Sequence, residues 1–151
     1  MPPRIRPATP ADAPVIIEFN RRLAEETEGK VLDPSQLTAG VRAGLADPGK
    51  GLYFVAEEEN AFLGQLLITF EWSDWRNGWI WWIQSVYVRP EARRRGVFRA
   101  LFEHVERLAR QDPEVIGLRL YVENGNRAAQ EVYARMGMKA AGYLVLERYP
   151  L

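Results

Sequence analysis

The order of periodic segments in this chain of 151 residues predicts an α/β (α+β) fold with a mixed sheet. Three observations carry that expectation: two capped helical stretches come first, strands joined by short turns follow, and the later strands are separated by helices. Residues 4–7 read as a short opening strand. Thr9-Pro10-Ala11-Asp12 then supplies an N-cap, a first-turn proline and an acidic third position, so a helix is expected to about residue 26, with Ile16, Phe19 and Leu23 on one face. Asp33-Pro34-Ser35-Gln36 repeats the capping logic before Leu37, Val41 and Leu45.

Residues 51–57 and 61–71 are rich in Tyr, Phe, Val, Leu and Ile, with Glu59-Asn60 as the turn of a hairpin. The run 79–88 has Trp79, Trp81 and Ile83 on one parity and Ile80, Trp82 and Val86 on the other. Apolar residues on both parities predict a strand covered on both faces, at the centre of the sheet. Pro90 ends it. Residues 97–110 then place Phe98, Leu101, Phe102, Val105, Leu108 and Ala109 on one helical stripe, with His104 off it and read as solvated. A buried strand over 115–122 and a helix over 126–136, stopped by Gly137, follow. Residues 143–149 are expected to close the sheet. With no repeat, low-complexity tract or Ser/Gly linker, residues 1–151 are expected to form a single domain.

Composition narrows the chemistry. Twenty Lys+Arg balance twenty Asp+Glu, so no overall field favours nucleic acid, an acidic substrate or a membrane surface. The absence of Cys excludes disulfides, thiolate metal ligands and a cysteine nucleophile; the single His104 excludes a zinc site needing two histidines, so no metal is expected. The first residues carry no apolar signal-like run, and the longest purely apolar run, 79–83, is far below the ~20 residues of a membrane helix. A soluble, cytoplasmic protein without a membrane partner is expected.

The segment that carries chemistry is 83–101, where the central strand becomes a helix. Between residues 89 and 99 lie five Arg and one Glu, a local charge of +4 in a neutral protein. A helix start has unsatisfied N–H groups and a partial positive charge, so a glycine-containing turn at that point suits a phosphate or pyrophosphate. Neither Gly-x-x-x-x-Gly-Lys-Ser/Thr nor Gly-x-Gly-x-x-Gly is present, which leaves another phosphate-bearing cofactor. On charge pattern alone, the arginines also read as a solvated face or a nucleic-acid patch. The apolar strand and helix around them argue against an open groove.

Two spaced motifs give that cofactor a family. Arg93-x-x-Gly96-x-Phe98, preceded by Val88-Arg89-Pro90-Glu91, and Asn126-x-x-Ala129-x-x-x-Tyr133-x-x-x-Gly137-Met138 resemble, in order and spacing, the GCN5-related N-acetyltransferases (GNAT). The resemblance is strongest over residues 79–138. It implies a mixed, mostly antiparallel sheet of six to seven strands flanked by about four helices, with acetyl-CoA as acetyl donor. It further implies that backbone groups of Val86, Tyr87 and Val88 bond the pantetheine arm and acetyl carbonyl. The amides of Arg93, Arg94, Arg95, Gly96, Val97, Phe98 and Arg99 would cradle the pyrophosphate. Asn126 would contact the cofactor arm, though its type also suits a plain N-cap. Tyr133 would protonate the departing thiolate; its alternative is a core aromatic on the stripe with Ala129 and Met136. A phenol with a pKa near ~10 keeps its proton at neutral pH, so the first role is chemically sound.

The departures define what else to ask. Phe98 stands where the family carries a small residue, and Met138 where it carries an aromatic. Gln84 and Ser85 replace the acidic residues of some polyamine-acetylating relatives, which leaves the general base to Glu71, Asp74 or Glu123 by position, with Glu71 preferred. Each of these also reads as an ordinary solvated carboxylate. Trp72 and Trp75, with Asp74, Gln84 and the other three tryptophans, are candidates to receive a cationic amine by charge and cation–π contact. The resulting expectation is transfer of acetyl to a primary amine, a small molecule being favoured, by direct attack in a ternary complex. A non-catalytic acyl-CoA-binding or regulatory module is the alternative. No nucleic-acid partner is expected, and a homodimer through the sheet edge or the tryptophan-rich segment is open.

Overall fold

A computed structural model describes residues 2–151. They form two compact units, one ending at Leu120 and the other spanning Tyr121–Leu151. The first unit holds strands β1 (Arg4–Pro7), β2 (Leu52–Glu58), β3 (Ala61–Ser73), β4 (Gly78–Val88) and β5 (Val115–Leu120) and helices α1 (Ala13–Glu28), α2 (Pro34–Ala46) and α3 (Val97–Gln111). The second holds α4 (Arg127–Arg135). The sheet runs β1-β2-β3-β4-β5 in space. Its first three pairings are antiparallel and the last, β4 with β5 around the α3 crossover, is parallel.

Local chemistry accounts for the boundaries. The Asp12 carboxylate accepts from the Thr9 N–H at 2.8 Å and is gripped by the Arg6 guanidinium at 2.8 and 3.1 Å. These bonds fix the short 3-10 turn Pro10–Asp12 that leads into α1. The helix ends where Gly29 takes a φ of 62° and returns its N–H to the carbonyls of Ala24 and Glu25. Asp33 caps α2 by accepting from Ser35 and Gln36 N–H. Glu59 and Asn60 both have positive φ, 48° and 66°, as a two-residue hairpin requires.

Alternation along β2 shows how the layers form. Tyr53 and Val55 pack with Ala13, Ile16 and Val41 of α1 and α2, while Phe54 on the opposite parity meets His104 of α3. Ile16, Phe19, Val55, Leu66, Ile68, Leu101 and Val105 are all at 0% exposure, so α1 and α2 close one face of the sheet and α3 the other. Each such side chain contributes about 1.5–3 kcal/mol of burial.

Four expectations are corrected. The sheet has five strands among the described residues rather than six to seven, because residues 143–149 form no strand. Their Tyr-Leu-Val-Leu composition favours a strand, but a strand needs a ladder partner, and the unit Tyr121–Leu151 contains no second one. β5 ends at Leu120 and has no fully buried residue, since it pairs along one edge only among the described residues. β4 lies between β3 and β5 rather than at the sheet centre, although Ile80, Trp81 and Ile83 are buried as expected. His104 is half-buried, its ring 5.4 Å from that of Phe54; burial, with Arg107 nearby, lowers its pKa below the usual imidazole value.

Candidate active site

The site begins where β4 stops pairing on one side. Its parallel ladder with β5 covers Trp79 to Ile83 and goes no further. Opposite, the antiparallel ladder with β3 jumps from Gln84 facing Leu67 to Tyr87 facing Gln65, so β4 carries a bulge at Ser85 and Val86. Ser85 has a φ of 51°, a left-handed conformation unusual for a side-chain-bearing residue in a strand. Gln65, fully buried, holds it there by donating Nε2–H to the Ser85 carbonyl at 3.1 Å. Close approach does the rest: a Cβ on Gly64 would lie 2.6 Å from the Tyr87 carbonyl oxygen, so only glycine fits beneath the end of β4. From residue 84 onward, the β4 edge turned from β3 has no strand partner among the described residues. Backbone groups there are free to pair with an extended ligand, as the ladder would otherwise require.

The chain then enters α3 through a tight turn. The 3-10 turn Pro90–Ala92 is followed by Arg94 at φ 64° and Gly96 at φ 78°, and no side chain caps the N-terminus of α3. A Cβ built on Gly96 would meet nothing within 4 Å, so the approach is open. Uncapped first-turn amides with the positive end of the helix dipole suit phosphate oxygens. Val97 is buried, and the Phe98 ring packs against Phe102 at 6.1 Å; the large side chain at 98 is absorbed by α3, whose first turn begins at Val97.

The arginines behave differently from the sequence count. Arg89 donates to the Phe62 carbonyl at 2.6 Å and lies over the Phe19 ring. Arg93 donates to the Val88 carbonyl at 2.9 Å and to Glu26 at 2.6 Å, Arg95 pairs with Glu58 at 2.9 Å, and Arg99 with Glu103 at 3.7 Å. Three carboxylates from elsewhere thus meet the apparent +4, and the anion site rests mainly on backbone amides. The Val88 carbonyl accepts from Arg93, and Tyr87 faces Gln65 across the β3 ladder. Tyr87 is buried, stacked near Phe19 and hydrogen-bonded to Glu26 at 3.2 Å; burial raises its pKa.

On the side expected for the acceptor, the sheet separates residues that the sequence placed together. Glu71 faces Ile80, and Thr69 faces Trp82, so Glu71, Trp82 and Gln84 share one face. Glu71 Oε1 accepts from Trp82 Nε1 at 2.8 Å and from Arg119 at 3.3 Å, and Gln84 donates to Thr69 Oγ1 at 2.6 Å. Trp72 and Trp79 stack 5.1 Å apart on the opposite face, where Phe70 meets Trp79 and Trp81. Asp74 and Trp75 lie in the β3–β4 turn, with Trp75 88% exposed. The tryptophans therefore do not form one wall around Glu71. Among the described residues no cluster of three or more His, Asp or Glu side chains could hold a metal ion.

In the second unit, Asn126 caps α4 by accepting from the Ala129 N–H at 3.1 Å, the structural role its type suggested. Tyr133 lies on α4 with its phenol pKa raised by burial, which keeps it protonated at neutral pH. Gln65, Glu26 and Arg119 escaped the sequence reading. A glutamine in an otherwise apolar strand was the available signal for Gln65; the other two depend on long-range pairing that no local pattern shows.

A bulged strand edge without a strand partner among the described residues runs into an uncapped helix start in an α/β protein, an arrangement suited to an extended, phosphate-bearing cofactor. The match is to a known family: the model of the Acetyltransferase (GNAT) family aligns with residues 17–138, and the chain belongs to that family. It is an acetyltransferase family with acetyl-CoA as donor, and the elements just described fit such a molecule. Among solved structures, a possible acetyltransferase from Clostridium difficile 630 is 42% identical, with a TM-score of 0.93 over 100% of this chain and 99% of that one. A predicted acetyltransferase with acetyl-CoA from Clostridium acetobutylicum is 20% identical over 96% of each chain, TM-score 0.78. A transcriptional regulator from Bacillus halodurans C-125 is 19% identical over 97% of this chain and 99% of that one, TM-score 0.81. The last two share the fold. No curated protein matches the chain. No helix among the described residues is long and apolar enough to cross a membrane.

Proposed function

We propose that the protein is a single-domain cytoplasmic N-acetyltransferase that moves an acetyl group from acetyl-CoA to a primary amine, most suitably a small molecule, by direct attack in a ternary complex. The observation that carries this reading is the continuity of two backbone features: the unpaired β4 edge over residues 84–88 and the uncapped start of α3 at Gly96. The first offers strand-like hydrogen bonds to a pantetheine arm, and the second offers amides to a pyrophosphate. Acetyl-CoA, when bound, supplies an activated thioester carbonyl.

The chain's own residues have the remaining tasks. An amine with a pKa near ~10.4 arrives as ammonium and must lose a proton before attack, and Glu71 is the carboxylate we assign to receive it, directly or through water. Both of its hydrogen bonds end on Oε1. Tyr133, kept protonated by burial, gives its phenolic proton to the departing sulfur as the carbon–sulfur bond breaks. Gln84, Trp72, Asp74 and Trp75 remain on the acceptor side of this reading. Self-association through the sheet edge belongs to it as well.

Calorimetric titration with acetyl-CoA, with adenosine and ATP as controls, tests the donor; micromolar binding selective for the thioester is expected. An amine panel then tests transfer. A second reading, a non-catalytic acyl-CoA-binding module, is favoured by one observation: Gln84 and Glu71 are both engaged in internal hydrogen bonds. Acetyl transfer to any amine removes it.

A further inference from the structure

The turn from β4 into α3 is held by side chains from outside it. Backbone hydrogen bonds reach only its ends among the described residues: Arg93 N–H donates to the Pro90 carbonyl at 3.3 Å, and the Gly96 carbonyl accepts from Ala100 N–H at 3.0 Å. Between them Arg94 has a φ of 64°, a left-handed conformation that a side-chain-bearing residue keeps only where its surroundings impose it. One group able to impose it is Glu26, in the last turn of α1. Its Oε2 accepts from Arg93 Nη2 at 2.6 Å and its Oε1 from the Tyr87 hydroxyl at 3.2 Å. Arg93 Nε donates to the Val88 carbonyl at 2.9 Å, and its guanidinium lies 5.6 Å from the centroid of the Tyr87 ring. Tyr87 is buried, and its ring packs at 5.1 Å against Phe19 of α1. A buried phenol thus orients the carboxylate, the carboxylate holds Arg93, and Arg93 ties the first residue of the turn back to the last residue of the strand.

The position of Glu26 is unfavourable for the helix alone. The last turn of α1 carries Glu25, Glu26 and Glu28 and no basic residue, although the helix dipole favours cations there. Arg93, 67 residues along the chain, supplies the cation that α1 lacks. We propose that Glu26 is a positioning residue for the donor: through Arg93 it fixes the turn over residues 93–96, so that the amides of the turn meet the phosphates of acetyl-CoA already arranged. This role rests on the reading that those phosphates bind at this turn. Electrostatics by itself makes the opposite prediction, since a carboxylate beside an anion site repels the anion and its removal should tighten binding. The direction of the effect decides between the two. Preorganisation acts on affinity, so the loss belongs in donor binding rather than in the chemical step.

Calorimetric titration of the full chain with acetyl-CoA reads the effect. Glu26→Gln keeps the size of the side chain and can still accept from Tyr87, but it loses the ion pair with Arg93; its dissociation constant should rise about fivefold to tenfold. Its midpoint of chemical denaturation should stay close to that of the wild type, because Glu26 is exposed. Arg93→Gln should weaken binding by a similar factor or more. Adding Glu26→Gln to it should change the constant by less than about twofold, because the carboxylate acts through the guanidinium. A carboxylate that merely supported α1 would keep its effect in that background. Glu18→Gln removes a charge from the same helix, where Glu18 pairs with Arg21 and Arg22, and should leave the affinity unchanged. Equal or tighter binding by Glu26→Gln overturns the proposal, as does a fully additive loss in the double variant or an equal loss in Glu18→Gln. A wild-type chain that binds no acetyl-CoA overturns it together with the donor reading, whereas failure of the variants alone leaves that reading standing.

Discussion

The two units of this molecule are stabilised in opposite ways. Through Leu120, side chains from two helical layers and the sheet reach 0% exposure, from Ile16 and Phe19 to Leu101 and Val105. From Tyr121 onward no residue is fully buried, although Tyr133 is half-buried, and Asn126 caps α4. The contrast teaches that β4, its bulge and the start of α3 are positioned by a packed core, whereas α4 rests on local capping and half-buried contacts.

Five substitutions sharpen that contrast. The largest effect is expected at Tyr133, where Tyr133→Phe should lower kcat by about 10²–10³-fold with acetyl-CoA affinity retained, as read by steady-state kinetics beside calorimetry. Unchanged turnover would return Tyr133 to a packing role. Next, Leu66→Ala in the first unit should cost about 3 kcal/mol in chemical denaturation. Leu146→Ala in the second should cost under about 0.5 kcal/mol in the same experiment, run below the concentration at which any dimer forms.

Asp12→Ala should cost about 2 kcal/mol, since Arg6 loses a two-pronged partner and Thr9 N–H its acceptor. The sign with pH follows from the carboxyl's pKa, which the Arg6 hydrogen bonds hold below the usual 3.8. Deprotonated Asp12 stabilises the fold above its unfolded value, and that contribution is lost as pH falls through the lower folded value. The variant should therefore show a flatter acid limb in stability against pH. Gln65→Leu leaves the Ser85 carbonyl without its donor; acetyl-CoA affinity should fall on the order of tenfold with little change in kcat. Equal affinity would mean that the bulge holds its shape without Gln65.

Much of the fold was legible because its signals are local. Caps at Thr9-Asp12 and Asp33, the Glu59-Asn60 hairpin turn and the stripe of α3 announce elements whose hydrogen bonds close within a few residues. The cofactor segment was legible for the same reason: strand, turn and helix start are contiguous. The acceptor side was not. Parity along β3 puts Trp72 and Glu71 on opposite faces, and the register of the β3–β4 pairing decides which residues of β4 face each of them.

By itself, the sequence determined the mixed sheet, the glycine turn into α3 and the family, because backbone capping and apolar period are properties of neighbouring residues. Tertiary structure alone decided that Glu26, Glu58 and Glu103 answer the arginines and that a buried Gln65 props the strand bulge. It also decided that residues 143–149 form no strand. Those outcomes depend on which groups meet across long stretches of chain, and in the last case on whether a ladder partner is there to complete the strand.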